Sequence, residues 1–412
     1  MAQEASVTDI FQLIAQAVSP ISSIESLPLD AALGRFLAQD VTSPIPVPRF
    51  NNSAMDGFAF SSAELKLGSH DSTVSLKIVG ASYAGAPFEG QVGPTEGIRI
   101  MTGAEVPAGL DTVIPFEKAH FCEGTGELTF KADAVKPGAN VRLRGEEIEE
   151  GAAAIKAGTR LTAAHIGLAA SLGAGTLLCR RIRVTIFATG DELAEPGRPL
   201  HAGCIYNSNS HLLAALCRRW GCEVRDLGIL PDSAEAQRSA LKEAAAQTDF
   251  LVTSGGVGEG DKDITTSVLA ELADMTHYHI RMRPGKPFSF GALRGGHSGW
   301  CMALPGNPVA AAMSAQLFLR DAIWRAAGAG PAPRECFPAE AAAAIRGRIG
   351  RTDFVRGRLE AKDGRLRFTP TPSQSSAMLT TLAGMNAAVI LEENAAGAAE
   401  GAQVRALRLD IE

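Results

Sequence analysis

The period of the apolar positions changes several times along this chain. Between residues 8 and 18, Ile10, Phe11, Ile14 and Val18 recur at helical spacing and Pro20 follows, predicting one short amphipathic helix. In LDAALGRFLAQDV, Leu29, Ala32, Leu33, Phe36 and Leu37 share a helical face, predicting a second helix before the proline-rich extended connector SPIPVPRF. From residue 61 to 140 the pattern becomes short apolar runs (TVSLKIVG, GIRIM, TVIPF, LTF) broken by glycine and proline, which predicts a β-rich module. AHIGLAASLG reads as a helix ended by glycine. From 181 to 328 the strand-like runs RVTIFATG, EVRDLGILPD and DFLVTSGG alternate with the helical windows SNSHLLAALCRRWG, SAEAQRSALKEAAAQ and DITTSVLAEL. That alternation predicts a multidomain α/β protein built on a parallel sheet with helices on both faces. Beyond the linker GAGPAPRECFPAE, period-two runs over 339–412 predict a small C-terminal β-domain.

Ligands of open α/β sheets bind at the carboxyl ends of the strands, so the residues there carry the candidate chemistry. They are Thr189, Gly190, Asp191 and Glu192 after the first strand, Asp232 after the second, and Ser254, Gly255 and Gly256 after the third. The third loop, GGVGEGDKD, lets backbone approach a ligand and leads into a helix whose unpaired amides attract anions. Yet it also carries Glu259, Asp261 and Asp263, which repel a bare phosphate. A divalent cation between protein and phosphate is the simplest resolution. Taken singly, each acid also reads as a helix cap; their joint placement at one edge favours a site.

Other segments add charge. Met-Asp-Gly places Asp56 at a strand start, and Thr102 with Gly103 follows the strand GIRIM. Arg142 and Arg144 alternate in NVRLRGEE, either as an anion fork or as a solvated strand face. Arg283 and Lys286 flank a Pro-Gly turn, and Asn307 in PGNP immediately precedes a helix. His277 and His279 share a strand face, but without a third ligand nearby they do not read as a metal site.

Composition narrows the class. At 412 residues, two to four domains are expected; 46% apolar and 20% charged residues are ordinary for a globular protein, and a net charge of -6 argues against nucleic-acid binding. Seven scattered cysteines without CxxC read as reduced thiols of a cytoplasmic protein, most of them small core residues. The N-terminus lacks a signal-peptide pattern, and the longest apolar helical stretch is interrupted by Ser314, Gln316, Arg320 and Asp321, so no membrane span is expected.

The ordered set LDAALGRFLAQDV, FNNSAMDGFAF, RIMTGA, VRLRGEE, TGDEL, GCIYNSNS, GILPD, TSGGVGEGDKD, RPGKPFSFG and LPGNPVAA closely resembles the molybdopterin molybdenumtransferases, the family of MoeA and the gephyrin E domain. The resemblance runs from about residue 8 to the C-terminus. It implies an elongated homodimer with four domains per subunit and an active cleft shared with the partner. They are an elongated connecting domain (22–45 with 146–177), a β-rich domain (46–145), an α/β molybdopterin-binding domain (7–21 with 178–329) and a C-terminal β-domain (330–412). The implied reaction is Mg²⁺-dependent insertion of molybdate into adenylylated molybdopterin with release of AMP, the product then passing to cofactor-accepting molybdoenzymes or chaperones.

Carried over by motif, Asp56, Glu192, Asp232 and Asp263 serve the metal, the attacking water or substrate orientation, with Asp56, Glu192 and Asp263 as the metal candidates. Thr102, Ser254, Gly255, Gly256 and Asn307 line the nucleotide and pterin pocket; Arg142, Arg144, Arg283 and Lys286 hold phosphate and molybdate; Ser376 in QSSAML stands at the serine of a Gly-Ser-Gly loop. The chain departs from the family at Glu147 and Arg283, in the loop GGVGEGDKD, and at Ser375 and Ala377. These departures keep open a rival reading, a cofactor-binding or carrier paralogue without turnover.

Overall fold

The computed structural model describes residues 2–63, 65, 67, 72–255, 264–295 and 299–411. The chain divides into two compact units, one of Met1–Gln39, Ala157–Ile166 and Gly175–Glu412, the other of Asp40–Lys156 with Gly167–Ala174.

The larger unit is built on a seven-stranded sheet in the order Gln3–Ala5, Thr276–Ile280, Pro287–Ala292, Trp300–Leu304, Phe250–Ser254, Arg183–Thr189, Glu223–Leu230. The last four run parallel. Pro287–Ala292 runs against both of its neighbours, so the sheet is mixed on that side. Its short connections to Thr276–Ile280 and Trp300–Leu304 cannot hold the crossover that a parallel pair requires, and antiparallel pairing follows.

Both faces of the parallel run are buried, and alternation decides which residue goes where. Val184, Ile186, Phe250, Val252, Trp300, Met302 and Leu304 enter the core that also holds Leu213 and Cys217 of the helix Ser208–Arg219. Phe187, Leu251, Cys301 and Ala303 face the other way, onto Leu241 and Ala244 of Ala234–Ala245 and Val268 and Leu269 of Ile264–Leu272. The expected helices on both faces are therefore present. Pro308–Ser314 continues through a π-turn at Ala315–Leu319 into Arg320–Ala326, and no described helix is long and apolar enough to cross a membrane.

The N-terminal helix forms as expected over Val7–Ala17, with Ser6 and Asp9 closing a reciprocal capping box. The second expected helix does not. Only Leu29–Ala31 makes a single 3₁₀ turn, after which Gly34 adopts a φ of +78° and its amide donates to the Leu161 carbonyl. Leu37 likewise donates to Thr159, so the apolar face pairs with a neighbouring extended segment instead of coiling. Glycine at that dihedral is what redirects the chain.

The expected C-terminal β-domain is a barrel. Thr352–Lys362 pairs with Arg365–Pro370 on one side and Ala387–Leu391 on the other, and Cys336–Ala341 and Gln403–Arg408 complete the circuit around Phe368, Val389 and Val404. The bridge Met282–Arg283 pairs with Thr352 and Asp353, which joins the Arg-Pro-Gly-Lys turn to this barrel.

In the smaller unit a six-stranded sheet runs Thr112–Pro115, Gly57–Phe60, Glu96–Ile100, Thr73–Ser82, Glu127–Lys131, His120–Cys122. Arg142 lies in the two-residue strand Val141–Arg142, but Arg144 does not share a strand face with it. The chain turns there because Gly145 takes a φ of +75° and the Leu143 amide donates to the Glu146 carboxylate.

All seven cysteines are free thiols; four are buried, and burial pushes Cys217 and Cys301 up to about 12, so they pack as small apolar groups. One glycine contact offers a direct test. A Cβ on Gly57 would lie 2.0 Å from the Ile114 carbonyl oxygen in the adjacent strand. Gly57→Ala should destabilise the smaller unit by about 1–3 kcal/mol, as other overpacking substitutions do, lowering its urea midpoint. An unchanged midpoint would refute the contact.

Candidate functional site

The carboxyl edge of the parallel run is knotted by one asparagine. Asn209, at the start of Ser208–Arg219, donates its amide to Ser254 Oγ at 2.8 Å and to the Gly306 carbonyl at 2.7 Å. Ser254 in turn donates to the Pro305 carbonyl at 2.9 Å, and the Gly255 amide donates to Leu304. Three elements are fixed to one another: the end of Phe250–Ser254, the end of Trp300–Leu304 and the start of that helix. Ser254 is thus a strut, buried, with its hydroxyl committed. Asn209 Oδ1 remains buried without a partner among the described residues. Sequence reading singled out Ser254 but not Asn209, although SNSHLL carries it at the helix start.

Beside this knot lies a cavity of about 880 Å³, lined by Arg281, Arg283, Lys286, Asn307, Arg351 and the 373–376 loop. Among the described residues, four cations face it against one lining carboxylate, Glu4, in a chain whose net charge is -6. Arg281 and Arg351 are partly neutralised by Glu393 at 3.2 Å and Asp353 at 3.0 Å. Among the described residues, Arg283 donates only to the Gln374 carbonyl at 3.4 Å, and Lys286 has no ion-pair partner. The uncompensated positive charge therefore sits on the Arg-Pro-Gly-Lys turn. Gly285 holds that turn at a φ of +110°, and a Cβ there would meet Ser314 Oγ at 2.8 Å.

The serine loop is held from below. Gln374 accepts from the Arg356 amide at 3.0 Å, donates to the Arg356 carbonyl at 2.9 Å, and donates to Thr371 Oγ1 at 2.8 Å. The buried Arg356 guanidinium donates to the Ser375 carbonyl at 3.2 Å, and the Ser376 carbonyl accepts from Val309. Burial, with Arg283 adding repulsion, pushes Arg356 down to about 10. Arg356 was missed in the sequence because DFVRGRLE reads as an alternating strand face, and Arg351 because it stands just before that run. Asn307 precedes the helix but makes no capping hydrogen bond, leaving its exposed amide available to the cavity it lines.

The remaining acids are placed as follows. Glu192 is exposed, and its carboxylate folds over Gly190, where a Cβ would meet Oε2 at 2.4 Å. Asp232 is exposed and does not cap the next helix; Ser233 does. Gly256, Glu259, Asp261 and Asp263 lie outside the described residues. His277 bonds Ser289 at 2.7 Å, and no cluster of three metal-ligating side chains occurs among the described residues.

In the smaller unit, Asp56 Oδ1 accepts from both the amide and the hydroxyl of Thr102, each at 2.7 Å. These two bonds hold the exposed Asp56 carboxyl below its ordinary range. Thr102 is thereby occupied in fixing Asp56, while Asp56 Oδ2 has no partner among the described residues. Arg142 and Arg144 are both exposed, the latter 3.6 Å from Glu150.

Family models match the chain in three consecutive stretches: the MoeA N-terminal region (domain I and II) over 5–173, a probable molybdopterin binding domain over 185–325, and the MoeA C-terminal region (domain IV) over 338–409. A molybdopterin molybdenumtransferase of Haemophilus influenzae is 35% identical over 383 residues, covering 92% of each chain. One from Nostoc is 33% identical across 98% of this chain and 94% of that protein. Among solved structures, a molybdopterin biosynthesis MoeA protein from Pyrococcus horikoshii superposes with a TM-score of 0.79 at 28% identity, over 98% of this chain and 99% of that one. With three matching regions in order and relatives aligned nearly end to end, the chain belongs to the MoeA family, the molybdopterin molybdenumtransferases.

Proposed function

We propose that this enzyme inserts molybdate into adenylylated molybdopterin, with Mg²⁺ and with release of AMP, as a cytoplasmic homodimer that passes the finished cofactor to molybdoenzymes or their chaperones. The observation that carries the reading is the cationic cavity at the Arg-Pro-Gly-Lys turn, opening beside the Ser254 knot at the end of a parallel sheet. Substrate and molybdate are both anions, and a cavity lined, among the described residues, by four cations against one carboxylate suits them.

In this scheme Lys286 and Arg283 hold the oxyanion, Lys286 as a point charge and Arg283 as a planar fork. Ser376 lines the same cavity from the loop that Arg356 and Gln374 fix. Ser254, Gly255, Gly256 and Asn307 border the pterin and nucleotide, with Ser254 acting through the knot that holds Pro305 and Gly306. Arg142 and Arg144 add phosphate contacts. Glu192, Asp56 and Asp263 are the carboxylates for Mg²⁺, with Asp232 orienting substrate or water. Glu192 fits that part: its exposed carboxylate oxygens have no hydrogen-bond or ion-pair partner among the described residues, and an all-oxygen donor set is what Mg²⁺ takes. When bound, the cation neutralises the phosphoanhydride oxygens. Thr102 lowers the Asp56 carboxyl further and engages Oδ1, leaving Oδ2 without a partner among the described residues.

Incubation of purified protein with adenylylated molybdopterin, Mg²⁺ and molybdate should release AMP. Lys286→Ala should raise the molybdate KM at least tenfold, the loss expected for a charge-assisted hydrogen bond of about 1.5–3 kcal/mol, with little change in melting temperature. Bound substrate whose phosphoanhydride survives long incubation would instead make the protein a carrier.

Asp56 gives a pH test. Its folded-state value is depressed, so the Thr102 bonds favour the ionised form above the usual carboxylate range and are lost as pH falls through the lowered value. Thr102→Val should shift the Asp56 titration upward, followed by carboxyl-carbon NMR. The acid limb of the rate profile should move the same way. An unmoved titration would contradict the assignment.

A further inference from the structure

A second cationic cleft, of about 440 Å³, lies elsewhere in the larger unit, lined by Arg160, Arg219, Arg320 and Arg408 together with Trp324 and the carboxylates of Glu335 and Asp410. None of these residues lines the cavity at the Arg-Pro-Gly-Lys turn.

Among the described residues, four guanidinium groups here face two carboxylates, and the pairing is uneven. Asp410 accepts from Arg219 Nε at 2.6 Å but lies 4.0 Å from Arg320 Nε. That Arg320 nitrogen is buried and has no hydrogen-bond acceptor among the described residues. Arg320 Nη1 donates to the Pro333 carbonyl at 3.2 Å, and Arg160 donates to the carbonyls of Gly34 and Arg219. Neutral carbonyls position those two cations without cancelling their charge. The Arg408 side chain is exposed and has no ion-pair partner among the described residues.

Trp324 explains how the cations are kept together. Arg160 and Arg320 both lie over its ring, at 5.5 and 4.8 Å from the centroid, and Phe36 meets it edge-on at 5.0 Å. The indole is 4% exposed, so it is a platform for the arginines and offers no face on which a nucleobase could stack. Burial lowers Arg160 and Arg320 below the usual arginine range; Asp410 offsets this, while Arg219 acting on Arg160, and Arg160 acting on Arg320, deepen it. Clustered like charges held this way are stabilised by an entering anion.

We propose that this cleft is a second anion site, taking a small tetrahedral oxyanion of the phosphate class between Arg320 and Arg408, independently of the molybdate cavity. The preference for a free oxyanion over a nucleotide follows from the covered indole and from Glu335 and Asp410 in the lining, which disfavour a larger anion.

The test is equilibrium dialysis with radiolabelled inorganic phosphate at fixed low ionic strength, using the full chain. In the double variant Arg283→Ala/Lys286→Ala, which removes the free cations of the first cavity, one phosphate should still bind per chain. Adding Arg408→Ala should weaken that binding at least tenfold, and Arg408→Glu should do the same, with the thermal melt unchanged because the side chain is exposed and unpaired among the described residues. The proposal is overturned if the double variant binds no phosphate, if Arg408→Ala leaves binding unchanged, or if AMP binds this cleft while phosphate does not.

Discussion

The constraint on which the larger unit depends is that its parallel strands must be covered on both faces. Val184 and Ile186 on one side, and Phe187 on the other, commit helices to each face, so backbone and polar groups meet solvent at the strand ends. Asn209 then decides the shape of the carboxyl end by drawing Ser254 and Gly306 to a single amide. Leaving such donors and acceptors unpaired in a buried setting costs about 1–3 kcal/mol each. The knot therefore fixes the loop that ends in Asn307 and, through it, one wall of the cationic cavity.

The other wall comes from the barrel. Met282–Arg283 adds a short parallel bridge to Thr352–Lys362, and Gln374 ties the serine loop to the backbone of Arg356 on that same strand. A turn from the α/β sheet and a loop from the barrel are brought together around unneutralised charge. This is how a mildly acidic protein presents a cationic surface to an oxyanion: among the described residues Glu4 is the one carboxylate that lines the cavity, and Lys286 has no ion-pair partner.

Much of this was legible in the chain. Alternating strand and helix windows gave the two-faced sheet, because burial on both faces leaves apolar runs that survive in sequence. Arg283, Lys286 and Asn307 were visible because proline and glycine mark the turns that carry them. What failed did so for local reasons: Gly34 and cross-chain pairing overrode the helical face from Leu29 to Leu37, and Gly145 turned Arg144 off its strand. Asn209, Arg351 and Arg356 escaped notice because their roles come from contacts with segments far away in sequence. The same holds for the Arg160, Arg219, Arg320 and Arg408 cleft, which gathers residues from widely separated segments.

The most direct measurement is the anomalous scattering of molybdenum in crystals soaked with molybdate. The account predicts a peak within hydrogen-bonding reach of Lys286, Arg283 and the Ser376 loop. A cavity without a peak, with molybdenum found only in the Arg320–Arg408 cleft or nowhere on the protein, would contradict it.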